Sequence, residues 1–208
     1  PALSNPTAVT TGMENICALD ATGVVCWGWN SYGQNNVPAL VNPVAVSAGG
    51  DHTCALDDTG VVCWGDNYYG QISVPALVNP VAVSAGHFHT CALDDTGVVC
   101  WGNNGSGQIS VPALVNPVAV SAGQYHTCAI DATGVVCWGD NYNGQTTVPT
   151  TLVAPVKAVS AGGVHTCAID ATGVVCWGDN ASLGQSLMAA APQSPVDVPA
   201  LSNPVSVS

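Results

Sequence analysis

One fourteen-residue phrase constrains this chain more than anything else in it: His-Thr-Cys-Ala-(Leu/Ile)-Asp-x-Thr-Gly-Val-Val-Cys-Trp-Gly, starting at His52, His89, His126 and His165, with a variant from Asn15. Each copy carries two cysteines: Cys17 and Cys26, Cys54 and Cys63, Cys91 and Cys100, Cys128 and Cys137, Cys167 and Cys176. The leading cysteines advance by 37 residues three times and then by 39. Self-similarity at a period of about 20–50 residues means a repeat architecture, in which each unit buries its apolar surface only by stacking on a sibling. Positions common to all copies are therefore scaffold, and a functional site is to be sought where the copies differ.

The second copy shows how one unit folds. Val44–Gly49, His52–Leu56, Val61–Trp64 and Gly70–Pro75 are short β-rich segments bounded by Gly, Asp, Asn and Pro, which predicts three or four antiparallel strands, A to D. Asp57-Asp58-Thr59-Gly60 reads as a four-residue hairpin loop between B and C, with Gly60 free to take a left-handed conformation and Asp57 capping the turn. That loop places Leu56 opposite Val61, Ala55 opposite Val62 and Cys54 opposite Cys63. Directly paired residues have Cβ atoms about 4.5–5.5 Å apart, near disulfide distance. The same register in every copy predicts disulfides from Cys17 to Cys26, Cys91 to Cys100, Cys128 to Cys137 and Cys167 to Cys176. Each bridge then closes its own hairpin, contributing about 2–3 kcal/mol by chain entropy. Zinc is the alternative, but two cysteines nine positions apart supply half a site. All ten cysteines paired at one spacing point to an oxidising compartment.

Alternation puts Cys54, Leu56, Val61 and Cys63 on one face of the hairpin and Thr53, Ala55, Val62 and Trp64 on the other. Both faces carry apolar groups and both need cover. A blade wedged between two neighbours meets that need, and radial repetition of such blades is a β-propeller. The expected fold is all-β: a propeller of about 37-residue blades, five copies plus a partial sixth. The blades run over residues 7–43, 44–80, 81–117, 118–155 and 156–203, with a surface insertion at 186–195 and the partial repeat at 204–208, all within a single repeat domain, 1–208.

Ala-Gly-x-x-His-Thr-Cys-Ala-Leu followed by Gly-Val-Val-Cys-Trp-Gly-(Asp/Asn)-Asn-x-x-Gly-Gln resembles the regulator of chromosome condensation repeat family over essentially the whole chain. It is similar above all to a secreted bacterial branch, that of the β-lactamase-inhibitor propellers, through Gly-Gln-Thr-Thr-Val-Pro around Gly144–Pro149. The resemblance implies a propeller, usually of seven blades. Five copies and a partial sixth fall short of seven, which points to an open or incomplete ring, or to a piece of a longer repeat protein. Pro1-Ala-Leu-Ser-Asn-Pro6 recurs as Pro199–Pro204, so self-assembly through terminal strands into a filament or surface layer is a further expectation. Opening at Pro1 without a leader, the chain reads as a processed product.

Composition narrows the partners. One lysine, Lys157, stands against 13 acidic residues, for a net charge of −12. Phosphate backbones are held by many Lys/Arg contacts, so no nucleic-acid partner is expected. Hydrophobic residues reach 48%, but no apolar run approaches the 18 or more residues of a membrane span, and no membrane insertion is expected.

Catalysis finds no constellation here. The histidines before Thr-Cys are repeat-encoded, Asn15 replaces one of them, and loop-pinning hydrogen bonds suit them better than a base. His87 stands alone outside the pattern. Asp20, Asp57, Asp94, Asp131 and Asp170 lie in B–C turns too short for a calcium loop. No catalytic residue, metal or cofactor is expected. What varies is the residue pair after strand A and the stretch after each Trp-Gly, two loops emerging at one end of every blade. They gather Trp29, Tyr32, Tyr68, Tyr69, Phe88, Tyr125 and Tyr142, the kind of surface that binds a protein or glycan partner. The expected function is a non-catalytic binding or structural scaffold, extracellular, on the cell surface or periplasmic. The alternative, which the resemblance implies, is inhibition of a secreted enzyme by the same face.

Overall fold

The repeated turn organises each hairpin. The Asp57 carboxylate accepts hydrogen bonds from the Thr59 amide at 2.7 Å and the Thr59 hydroxyl at 2.6 Å on one oxygen. Its other oxygen accepts the Val41 amide at 2.8 Å, tying the turn to the D–A connection. Gly60 takes φ +116°. Because Asp57 itself pairs with Gly60, the loop is two residues long, not four: the outer two of the four join the ladder. The expected register holds throughout, with Leu56 opposite Val61, Ala55 opposite Val62 and Cys54 opposite Cys63.

The computed structural model describes residues 1–179 and the backbone of 196–197. The insertion at 186–195, the segment Pro199–Pro204 and the partial repeat at 204–208 lie outside the described residues. The strands are β1 (Ala8–Thr11), β2 (Asn15–Asp20), β3 (Gly23–Gly28), β4 (Ala45–Ala48), β5 (His52–Asp57), β6 (Gly60–Gly65), β7 (Ala82–Ala85), β8 (His89–Asp94) and β9 (Gly97–Gly102). They continue as β10 (Ala119–Ala122), β11 (His126–Asp131), β12 (Gly134–Gly139), β13 (Ala158–Ala161), β14 (His165–Ile169), β15 (Val174–Gly178) and β16 (Val196–Asp197). Each copy makes one antiparallel sheet in sequence order, and β16 extends the last one by pairing with β15. The chain divides into two compact units, Pro1–Gly105 and Ser106–Ser208, described in turn.

Segment D of the second copy, Gly70–Pro75, joins no sheet. Its amides serve tight local turns, Ser73 to Gly70 and Val74 to Ile72, while the Gln71 carbonyl faces the next blade. The three strands of this blade are left to be held by its neighbours.

In the first unit that holding is a repeated relay. The main-chain carbonyl of Gln34 accepts both the Trp64 indole N–H at 2.9 Å and the Thr53 hydroxyl at 3.0 Å. Gln71 does the same for Trp101 and Thr90, both at 2.9 Å. The Thr90 hydroxyl has one hydrogen and donates it to Gln71, so the 2.8 Å contact with His52 is the histidine's Nε2–H donating to Thr90. Asn15 fills the histidine's role in the first copy, its Nδ2 donating to Thr53 at 3.3 Å. His52 thus pins blade to blade, a wider reach than the loop-pinning expected of the repeat-encoded histidines. Inner strands are stitched as well: the Ser47 hydroxyl accepts the Ala85 amide at 2.9 Å and the Thr10 hydroxyl the Ala48 amide at 3.1 Å.

The core is built from small groups. Cys54, Ala55, Cys91 and Ala92 are fully buried beside Leu56, Leu93, Trp64 and Trp101. The second unit repeats the scheme: Trp138 and Thr127 on the Gln108 carbonyl, Trp177 and Thr166 on that of Gln145, and His126 on Thr166 at 2.8 Å.

Every cysteine is bonded within its own hairpin, and none is free. Cys17 is joined to Cys26, Cys54 to Cys63, Cys91 to Cys100, Cys128 to Cys137 and Cys167 to Cys176, with Cα atoms 4.0–4.1 Å apart. The two ends of a bridge are not equally covered. Cys17, Cys54, Cys91 and Cys128 sit on the middle strand of their sheets and are fully buried. Their partners Cys26, Cys63, Cys100 and Cys137 lie on the outer strand and are half-buried. In the last copy the order reverses: Cys176 is buried where β16 pairs alongside it, and Cys167 is half-buried.

Candidate functional site

The two variable loops of each blade are joined by one main-chain hydrogen bond. The first residue after Trp-Gly donates its amide to the carbonyl of the residue just before strand B: Trp29 to Glu14, Asp66 to Asp51, Asn103 to Phe88, Asp140 to Tyr125 and Asp179 to Val164. Strand order requires this adjacency, since the A–B loop and the segment after C leave the same end of an antiparallel sheet.

The loop after strand C is braced from within by a buried glutamine and from its rim by half-buried Asp66 and exposed Asn67. Fully buried Gln71 accepts the Tyr69 amide through Oε1 at 2.8 Å and donates Nε2 to Asp66 at 2.7 Å. Asp66 in turn accepts the Tyr68 amide at 3.2 Å. Asn67 takes the Ile72 amide at 3.1 Å and gives its Nδ2 to Ser73 at 3.1 Å. With their amides held, the Tyr68 and Tyr69 side chains are displayed rather than used for support; Tyr68 is 83% exposed. Gln145 and Asp140 repeat the brace below Tyr142, which is 92% exposed.

The first copy breaks the pattern. Trp29 stands where the second and fourth copies have Asp66 and Asp140. Gln34 still accepts the Tyr32 amide at 3.1 Å, but its buried Nε2 has no hydrogen-bond partner. Trp29 is 43% exposed and meets Tyr32 edge-on at 5.5 Å between ring centroids.

Of the seven aromatics expected to form a binding face, the first unit holds five. Trp29 and Tyr32 make one pair. Tyr68, Tyr69 and Phe88 make a ladder, with centroids 4.8 Å apart from Tyr68 to Tyr69 and 5.3 Å from Tyr69 to Phe88, both edge-on. His87 extends it, stacked on Phe88 at 3.9 Å. The sequence left His87 aside as a lone residue; the available signal was its place beside Phe88 with Gly50 at the matching position of the previous copy, where a Cβ would collide with the His87 ring. In the second unit Tyr125 is half-buried, and Tyr142 lines a groove of about 590 Å³ with Asn143, Thr147, Pro149, Thr151 and Trp177.

Electrostatics link the tips of the first unit. Burial raises the Asp51 carboxyl above its usual range; His87 opposes this, while Asp66 and Glu14 add to it. Burial lowers His87, with Asp51 acting against it. Below them, burial pushes His52 down to about 4, and its Nδ1 has no partner to give a second proton a place. Among the described residues no group of three or more His, Cys, Asp or Glu is placed to hold a metal ion, and no helix is long and apolar enough to cross a membrane.

The regulator of chromosome condensation (RCC1) repeat matches residues 44–71, 81–108, 118–145 and 156–185, more than half of the chain. The chain belongs to this family. The family's tryptophan and the carbonyl of its terminal Gly-Gln are the two halves of the relay that joins one blade to the next. No curated protein matches the chain significantly. Among solved structures, the ectodomain of the Physcomitrella patens receptor kinase CR4 is 29% identical, with a TM-score of 0.74 over 87% of this chain and 54% of its own. The CRINKLY WD40 ectodomain of the Arabidopsis thaliana receptor kinase ACR4 is 27% identical, with a TM-score of 0.67 over 84% and 65%. Prp20p of Saccharomyces cerevisiae, at 20% identity and a TM-score of 0.66 over 79% and 56%, shares the fold. The chain thus spans about half to two thirds of the length of these structures.

Proposed function

We propose that this family member is a non-catalytic binding scaffold working outside the cytoplasm, and that the aromatic loop tips are where it binds. The observation that carries the reading is the division of labour at those tips. Fully buried Gln71 and Gln145, with Asp66, Asn67, Asp140 and Asn141, brace the loops through hydrogen bonds, while Tyr68 and Tyr142 stay almost wholly exposed and Tyr69 packs only on other ring side chains. Trp29 goes further: it occupies a bracing position and leaves a buried amide unpaired, a local loss of stability of the kind expected where function overrides folding. Aromatic anchors on preorganised loops are the usual centre of a protein-binding surface.

Five disulfides suit an oxidising environment, and receptor-kinase ectodomains are among the similar structures; both support an extracellular, cell-surface or periplasmic setting. Prp20p is described with binding properties towards Gsp1p and histones, in keeping with a protein partner, and a glycan is the other candidate. The test is affinity capture from the native extracellular milieu by the wild type and by a Tyr69→Ala/Tyr125→Ala variant. Loss of a specific captured species supports the binding face, and unchanged capture removes it.

Inhibition of a secreted enzyme is the second reading; rigid loops with exposed aromatics favour it, and titration against secreted hydrolases, β-lactamases included, decides it. Assembly into filaments or a surface layer rests on the duplicated Pro-Ala-Leu-Ser-Asn-Pro segment. A strictly monomeric species in light scattering at high concentration would remove that option.

A further inference from the structure

We infer that the ladder formed by Tyr68, Tyr69, Phe88 and His87 receives an arginine- or lysine-bearing segment of a partner protein. This rests on the aromatic tips being a binding face and names the chemistry of what they bind.

Two observations converge on it. The first is shape and exposure. Tyr68 and Tyr69 meet edge-on at 4.8 Å, and Tyr69 meets Phe88 edge-on at 5.3 Å, so successive rings turn their faces in different directions. Tyr68 and Tyr69 are 83% and 42% exposed. Aromatic faces carry negative quadrupole charge and hold a guanidinium or ammonium placed over them. The second is charge. Asp51 directly follows Gly50, whose Cβ position lies against the His87 ring, and the Asp66 amide is bonded to the Asp51 carbonyl at 2.9 Å, so two acidic residues sit at the histidine end of the ladder. No lysine or arginine lies anywhere in Pro1–Gly105, since Lys157 is the only one in the chain. No lysine or arginine of this unit can therefore occupy the ring faces or pair with those carboxylates, and an approaching basic segment is steered in by a net charge of −12. An acidic or phosphorylated partner is repelled by the same field. An uncharged glycan gains the stacking but nothing from the carboxylates.

Hexa-arginine serves as the probe, with hexa-citrulline as its uncharged counterpart and calorimetry at 50 and 150 mM salt as the readout. Wild-type protein is expected to bind hexa-arginine and not hexa-citrulline. Tyr68→Ala/Tyr69→Ala, which leaves the net charge unchanged, is expected to weaken binding at least tenfold. Asp58→Asn/Asp95→Asn, which removes two carboxylates from exposed turns at the opposite end of the blades, is expected to change it less than threefold. Matched thermal midpoints for both double variants confirm folding. Equal losses in the two variants, or no binding by the wild type, overturn the inference, because attraction would then follow net charge or be absent. If the tyrosine variant loses the natively captured species but hexa-arginine binds it unchanged, the cationic partner is wrong and the binding face stands. If neither readout responds to the tyrosines, both fall.

Discussion

Trp64 donates its indole N–H to the main-chain carbonyl of Gln34 at 2.9 Å, so the tryptophan of one blade is anchored on the last residue of the previous blade's Gly-Gln signature. Thr53 shares that oxygen, and the next step of the relay runs from His52 through Thr90 to Gln71. Each blade is thereby tied to the previous one by a few buried polar contacts.

Removing one hydroxyl tests this. Thr90→Val keeps the shape of a fully buried side chain but leaves the His52 Nε2–H with no acceptor. The expected loss is about 1–3 kcal/mol, the cost of orphaning a buried donor, read as a lower denaturation midpoint in urea. The same hydroxyl is already absent at Ile16, the matching position of the first copy.

Acid should weaken the fold in two stages. His52 and His126 are each held down to about 4 by burial, against about 6.5 in an unfolded chain. Between those values the unfolded chain takes up protons that the folded chain refuses. Stability is complete above about pH 6.5 and falls as pH drops towards 4, by roughly 1.4 kcal/mol per pH unit per histidine. Below that window the turn carboxylates take over. Burial raises Asp57, but hydrogen bonds from the Thr59 hydroxyl and from the amides of Val41, Thr59 and Gly60 outweigh it and leave it low. That contribution is present above the usual aspartate range and lost as pH falls through the folded value. Denaturation midpoints across pH for the wild type and His52→Asn/His126→Asn check the first stage: the variant's slope between pH 6.5 and 4 should be flatter, since Asn15 shows that an amide can fill the position without titrating.

Glycines with one chemistry and two surroundings should separate cleanly. A Cβ on Gly49 would strike the Gly86 carbonyl oxygen and lie 2.6 Å from His52 Cε1. Neither can retreat, so Gly49→Ala is expected at or beyond the roughly 3 kcal/mol upper range of overpacking. Gly70 has φ +81° and nothing within 4 Å of its Cβ position. Gly70→Ala should therefore cost only the backbone penalty of about 1–2 kcal/mol, as thermal melts of the two variants would show.

Each disulfide closes a nine-residue separation. Cys54→Ala/Cys63→Ala should lower stability by about 2–3 kcal/mol, with the hairpin register surviving because Asp57 and Gly60 still set the turn. Hydrogen exchange at the β5 and β6 amides reads both consequences.

Trp29→Asp should stabilise the first blade by about 1 kcal/mol, since a carboxylate there can accept the orphaned Gln34 Nε2–H as Asp66 does for Gln71. The same change removes an exposed aromatic from the proposed face. Higher stability together with weaker partner capture is the expected outcome, and a fall in stability would refute the account of the unpaired amide.

Much of this protein follows from local chemistry and was legible in the residues. Asp-x-Thr-Gly closes a hairpin by itself, the hairpin sets the strand register, and the register brings Cys54 opposite Cys63; none of these steps needs a distant part of the chain. The same steps bring Cys26 to Cys17, Cys100 to Cys91, Cys137 to Cys128 and Cys176 to Cys167. The end of the blade at which Trp29, Tyr32, Tyr68, Tyr69, Phe88, Tyr125 and Tyr142 emerge follows in the same way, from antiparallel strand order. Tertiary structure alone decided what passes between copies. Thr53, Trp64 and His52 meet partners 19 to 38 residues away, at distances no spacing within a single copy encodes. The same holds for His87, isolated in the sequence and stacked on Phe88 above Gly50 in the fold, and for segment D, whose carbonyl was claimed by the next blade instead of a fourth strand. Local turns are settled by neighbouring residues, whereas a buried carbonyl takes whichever donor the packing of two copies brings to it.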